Sequence, residues 1–101
     1  MGMAVGVGRV TLRLPENHSL KGKRQVLKSL IARLHNRFNI SAAEVDDQDS
    51  WQMAVIAFSC VSTNERHIDR VLSSAIAFIR TERLDAEIVD VETEVIHGVG
   101  D

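Results

Sequence analysis

One cysteine, one proline and no tyrosine occur among the 101 residues. A lone Cys60 excludes an internal disulfide, so packing has to hold the fold together. Pro15 is the only proline, and no linker or low-complexity stretch interrupts the chain. No apolar run approaches the roughly 18 to 20 residues that a membrane span requires. Residues 1–8 lack the basic start and apolar stretch of a signal peptide. These absences lead to the expectation of a cytoplasmic protein with no membrane partner.

The catalytic and metal-binding signatures are missing too. His18, His35, His67 and His97 are scattered, with no H-x-H, H-E-x-x-H or C-x-x-C pattern. No serine lies in a G-x-S-x-G context. Gly6 and Gly8 lack the third glycine and the strand-turn-helix context of a dinucleotide fingerprint. Glu44, Asp46, Asp47 and Asp49 cluster without the spacing of a calcium loop, and read as polar turn chemistry. Cys60 stands among apolar residues and reads as core filler. The expectation is a non-enzyme that uses neither metal nor cofactor.

What is present is an ordinary globular composition, 45% hydrophobic and 26% charged, enough for one domain over 1–101. Residues 4–14 read as a strand, with Val10, Leu12 and Leu14 on one face and Arg9, Thr11 and Arg13 on the other. Val5 and Val7 fall out of phase. Either a bulge at Gly6 and Gly8 or partial burial of both faces accounts for that. Ser19 is a good N-cap for a helix whose stripe runs through Leu20, Leu27, Ile31, Leu34 and Phe38 to a stop at Asn39.

Residues 40–46 form a weaker strand, suited to a sheet edge. Residues 51–62 are apolar on both faces, as in a central strand. The sequence Ser62-Thr63-Asn64-Glu65 has capping-box spacing ahead of a stripe at Ile68, Val71, Leu72, Ala75 and Ile79. In residues 86–96, Val89, Val91 and Val95 are expected inward, with Asp90, Glu92 and Glu94 outward. Two β-α-β units of this kind predict an α+β, ferredoxin-like βαββαβ sandwich. It has a four-stranded antiparallel sheet, strand order 4-1-3-2, and both helices on one face. The uncovered face of an apolar central strand predicts a homodimer, through that face or a strand edge.

Charge is divided unevenly. Residues 1–43 hold eight lysines and arginines against Glu16 alone, and residues 44–101 hold four arginines against thirteen acids. Part of this asymmetry is expected to be neutralised within the fold, with Arg9 and Arg13 across from the acids of the last strand. The rest centres on the first helix. Helix starts carry partial positive charge and attract acids, yet this one reads Ser19-Leu20-Lys21-Gly22-Lys23-Arg24. Ser19, Lys21, Lys23, Arg24 and Lys28 are therefore the candidate anion- or phosphate-binding residues. Lys21, Arg24, Lys28 and His35 share one helix flank, where a nucleic-acid backbone could lie. The expected partner is RNA or a ribosomal particle. The alternative is a dimeric module, regulatory or binding a small ligand, with no nucleic-acid role.

The segments Pro15-Glu16-Asn17-His18-Ser19-Leu20-Lys21 with Lys23-Arg24, Phe38-Asn39-Ile40-Ser41, Ala43-Glu44-Val45-Asp46 and Trp51-Gln52 resemble the YlxP-like family, the bacterial domain of unknown function 503. The resemblance runs over nearly the whole chain. It implies a ferredoxin-like fold and no established activity. Genes of the family often lie near those for translation initiation and ribosome-maturation factors, an association that points toward ribosomes or RNA. Family members commonly carry a glutamate where this chain has Gly22, so the helix start is more positive here.

Overall fold

The computed structural model describes residues 2–82 and 85–99. The elements run β1 (Met3–Arg13), α1 (Leu20–Arg37), β2 (Ser41–Asp46), β3 (Met53–Ser62), α2 (Glu65–Glu82) and β4 (Glu87–Val99). The strands form one antiparallel sheet in the order β2-β3-β1-β4. This is the expected order, with β3 and β1 central.

Alternation in β1 follows a single phase along its length. Ala4, Gly6, Gly8, Val10 and Leu12 point to the helices, and Met3, Val5, Val7, Arg9, Thr11 and Arg13 to the open face. Pairing with β3 runs unbroken from Ala4↔Ser62 to Arg13↔Met53, so no bulge forms at Gly6 or Gly8. Both glycines sit on the helix side because nothing larger fits there. A Cβ on Gly6 would lie 2.3 Å from Ile68 Cγ2, and one on Gly8 would lie 2.4 Å from the Phe58 ring. Val5 and Val7 are then left half-buried on the open face.

The helices bury their stripes against the sheet. Leu27, Leu30 and Leu34 of α1 and Ile68, Leu72, Ala75 and Ile79 of α2 pack with Val10, Leu12, Leu14, Ala54, Ile56, Phe58 and Cys60. Each large side chain buried this way contributes about 1.5–3 kcal/mol. Phe38 meets Phe78 edge-on at 5.7 Å between centroids, and the Arg37 guanidinium lies 5.6 Å from the same ring.

Several boundaries differ from the sequence reading. α1 ends at Arg37, not Asn39, because Phe38 turns extended (φ −130°). β3 begins at Met53, and Trp51 stands 56% exposed in the preceding turn. In β4 the register slips between Thr11↔Asp90 and Leu12↔Ile88. Val89 is therefore an extra residue in a bulge and is exposed, while Ile88 takes the inward place. The capping box does not form either. Asn64 caps α2, its Oδ1 accepting from the backbone N–H of Arg66 (3.0 Å) and His67 (3.2 Å). Glu65 instead pairs with His97 at 2.9 Å, tying β4 to the start of α2.

Gly8→Ala tests the close approach. The new methyl collides with a buried ring, and overpacking of this kind costs about 1–3 kcal/mol. Urea unfolding should show a lowered midpoint with an unchanged slope. An unshifted midpoint would show that Phe58 has room to move.

Candidate functional site

The start of α1 rests against the β2–β3 hairpin, and the contact is polar. Asn17 donates from Nδ2 to the carbonyl of Ser19 (2.8 Å) and to that of Trp51. Gln52 donates back across the gap to the Pro15 carbonyl at 3.0 Å, and Leu14 N–H bonds the Gln52 carbonyl at 2.7 Å. The segments around Pro15–Lys21, Lys23, Glu44–Asp46 and Trp51–Gln52 are far apart in sequence but meet at this one end of the sheet.

Lys23 sits at the centre of the contact. Its side chain is fully buried. Nζ donates to the carbonyls of Asp47 (2.7 Å), Met53 (3.1 Å) and Gln48 (3.3 Å), and lies 3.0 Å from Glu44 Oε2. Three ammonium hydrogens facing four oxygens leave no capacity for a ligand. A buried charge is tolerable only when paired and hydrogen-bonded in this way. The expectation that Lys23 contacts phosphate is therefore corrected: it braces the hairpin. The sequence did carry a signal for this. Lys23 falls in register with Leu27, Leu30 and Leu34 on the inward stripe, a placement that its charge obscured.

Asp47 completes the brace. It adopts φ 55°, a left-handed conformation that Asp tolerates better than most residues. Its carbonyl accepts from Ser50 N–H at 3.0 Å as well as from Lys23. Gly22 is explained by the same crowding. A Cβ there would lie 2.4 Å from Asn17 Oδ1 and 3.1 Å from Ser19 Oγ, so glycine makes room for the Asn17 amide.

The other candidate residues have different surroundings. Ser19 caps α1, its Oγ accepting from Gly22 N–H at 2.9 Å. Lys21, Arg24 and Lys28 are exposed, and among the described residues none of them has an acidic partner. They stand at i, i+3 and i+7, on one flank and along about 10 Å of axis at 1.5 Å per residue. His35, lower on that flank, is committed to the fold: its Nε2 accepts from Ala42 N–H of β2 at 3.2 Å.

The remaining cations of the first half are largely neutralised. Arg9 reaches Asp46 (3.1 Å) and Glu92 (3.4 Å), Arg13 reaches Glu87 (3.5 Å), and Arg33 reaches Glu82 (3.4 Å). These exposed pairs contribute little individually, but they account for the expected internal balance. Arg9 stretches across the open face toward Asp46, opposite Val55. Val55 is only 2% exposed despite lying on that face.

Burial pushes the Cys60 thiol up from its ordinary range, a rise partly offset by the Gly6 backbone hydrogen bond. Among the described residues no helix is long and apolar enough to cross a membrane.

Four antiparallel strands in the order β2-β3-β1-β4, backed by two helices, define a ferredoxin-like sandwich. The chain belongs to the family described as a protein of unknown function (DUF503), whose model matches residues 5–93. It is 39% identical over 61 residues to the Uncharacterized protein YlxP of Bacillus subtilis (strain 168). That alignment takes in 60% of this chain and 66% of YlxP, just under two thirds of the relative's length. Among solved structures, a dabb family protein with a ferredoxin-like fold from Mesorhizobium loti superposes with a TM-score of 0.53. It does so over 99% of this chain and 100% of its own, at 15% identity. The de novo designed protein Foldit4 gives 0.55 over 94% and 98%, at 12% identity. Identities this low speak to the fold alone.

Two outcomes follow from this geometry. Lys23→Met strands Glu44 and three carbonyls, and is expected to cost about 3–5 kcal/mol in urea unfolding. Adding Glu44→Leu should recover part of the loss, because the carbonyls stay unpaired. Equal stability of Lys23→Met and wild type would remove the brace from the account. Because Cys60 holds its proton more tightly than an open thiol, it should react slowly with a thiolate-directed reagent in native buffer and rapidly in urea. Matching rates in the two conditions would contradict its burial.

Proposed function

We propose that this chain is a non-enzymatic binding protein that contacts RNA, free or in a ribosomal particle, through the solvent-facing flank of α1. The observation that carries the reading is a sorting of charge. Arg9, Arg13, Lys23 and Arg33 all have acidic partners, and Arg37 lies over Phe78. Lys21, Arg24 and Lys28, which share one flank, have none among the described residues. Cations without internal partners, presented along one helix beside a capped N-terminus, suit a backbone of regularly spaced phosphates. Recognition along this flank would be of charge and shape: Phe58 is buried, and Phe38 and Phe78 are packed on one another, so none of the three phenylalanines offers a stacking platform, and the exposed aromatic, Trp51, stands in the turn before β3.

The non-enzymatic reading rests on residue chemistry. Cys60, the one thiol, is buried with a raised pKa, and Ser19 Oγ is occupied as a cap. The alternative, a module enclosing a small ligand between paired sheets, draws on a hollow of about 260 Å³ on the open face. That hollow is lined by Val7, Ala43, Val45 and Ala57 with Ser41 and Ser59. It has no charged side chain to orient a carboxylate or a nucleotide.

The test is RNA binding by the full chain as a function of salt. Three phosphate contacts on a single strand predict a slope of log K against log salt of about −2. Charge reversal at Lys21, Arg24 and Lys28 together should abolish binding and leave the unfolding midpoint near that of wild type, because all three side chains are solvated. Binding that survives the triple reversal, or that ignores salt, would remove α1 from the function.

A further inference from the structure

The open face of the sheet divides into two halves. Toward the Arg13 end, Arg9 and Arg13 are spread among paired carboxylates. Toward the Met3 end the surface is apolar. Val5, Val7, Ala57, Val61 and Ile96 face the same way through the pairs Val5↔Val61, Val5↔Ile96 and Arg9↔Ala57. Val61 is 62% exposed and Ile96 40% exposed. Among the described residues no helix covers this half, since both helices lie on the other side. Apolar groups gathered in this way on a surface mark a contact site.

Charge decides what kind of occupant fits. The whole open face carries five carboxylates, at Asp46, Glu87, Asp90, Glu92 and Glu94, against the two guanidiniums of Arg9 and Arg13. Asp90 and Glu94 are exposed and have no cationic partner among the described residues. Glu94 stands directly across from Val7. Together with Arg9, Glu92, Thr93 and Ile96 they line a hollow of about 350 Å³. An apolar floor beside a free carboxylate suits a lysine or arginine whose stem lies on Val7 and Ile96 and whose charged head reaches Glu94. It repels a polyanion. It also disfavours a second copy face to face, because the two guanidiniums of the face, Arg9 and Arg13, are already engaged by Asp46, Glu92 and Glu87 and do not answer the partner's Glu94.

We infer that the apolar half of the open face docks a basic amphipathic helix of another protein. Its apolar stripe lies over Val5, Val7, Val61 and Ile96, one lysine or arginine meets Glu94 beside them, and another, further along the helix, meets Asp90 across from Thr11 in the charged half. A helix is the natural element, because it would give the sheet on this face the same cover that α1 and α2 give on the other. This surface is separate from the α1 flank and stands or falls independently of RNA binding.

The probe is a synthetic helix-forming peptide of about 18 residues with a leucine stripe flanked by lysines, and a matched peptide with glutamates in place of the lysines. Amide NMR of the full chain, titrated with each, reads the outcome. The basic peptide should shift Val5, Val7, Val61 and Ile96, and the acidic one should not. Combined Asp90→Lys and Glu94→Lys, both at exposed positions, should weaken binding at least about tenfold, and charge reversal on α1 should leave it unchanged. Three results overturn the inference. One is shifts confined to other surfaces. Another is an affinity indifferent to the two reversals. The third is a sedimentation-defined homodimer in which these amides no longer respond to the peptide, which would give the face to a second copy.

Discussion

An ammonium group sealed from water has to be met by oxygens, and in this chain the hairpin between β2 and β3 supplies them. Lys23 leaves α1 on its inward side and ends among the carbonyls of Asp47, Gln48 and Met53 and the carboxylate of Glu44. Three accepting carbonyls and an ion-paired carboxylate can converge on one nitrogen only if the hairpin has a single shape and sits at one height on the helix. Much of the local architecture follows from that demand. Asp47 takes a left-handed backbone, Asn17 and Gln52 cross-link the two connections, and glycine at position 22 leaves the Asn17 amide its place. A buried pair of this sort contributes more to one defined arrangement than to net stability, because desolvation offsets most of the attraction.

The brace also sorts the charges. By drawing Lys23 inward it separates one structural cation from three solvated neighbours that looked equivalent in sequence. On the sheet, Arg9 and Arg13 consume carboxylates of β2 and β4, which leaves Asp90 and Glu94 over. The result is a molecule with a basic helix flank and a part-apolar, acidic sheet face. The two surfaces lie on opposite sides of the sheet and share no side chain, so substitutions on one do not alter the residues of the other.

The topology was legible because hydrophobic period decides it. β3 is apolar on both faces because it is central, and the two helical stripes have to lie on one side of the sheet for the connections to work. Ser19 was legible as a cap because capping is local chemistry. What could not be read came from contacts distant in sequence. Val5 and Val7 seemed out of phase because the inward positions between them and Val10 belong to glycines, whose reason is Ile68 and Phe58. Val89 lost its inward place to a bulge that only pairing with β1 reveals. The charge of Lys23 suggests a solvated side chain, whereas its place on the stripe of Leu27, Leu30 and Leu34 is what sets its position.

The most direct measurement of the central claim is native-state hydrogen exchange on the wild type and Lys23→Met. If Lys23 holds the start of α1 to the hairpin, its removal should accelerate exchange together at Gly22, Lys23 and Met53, whose amides bond Ser19 Oγ, the Ser19 carbonyl and Ser50 Oγ. Relative to these, the amides of the β1–β4 ladder should keep their protection. Acceleration spread evenly over the whole sheet, or confined to one side of the contact, would contradict the account.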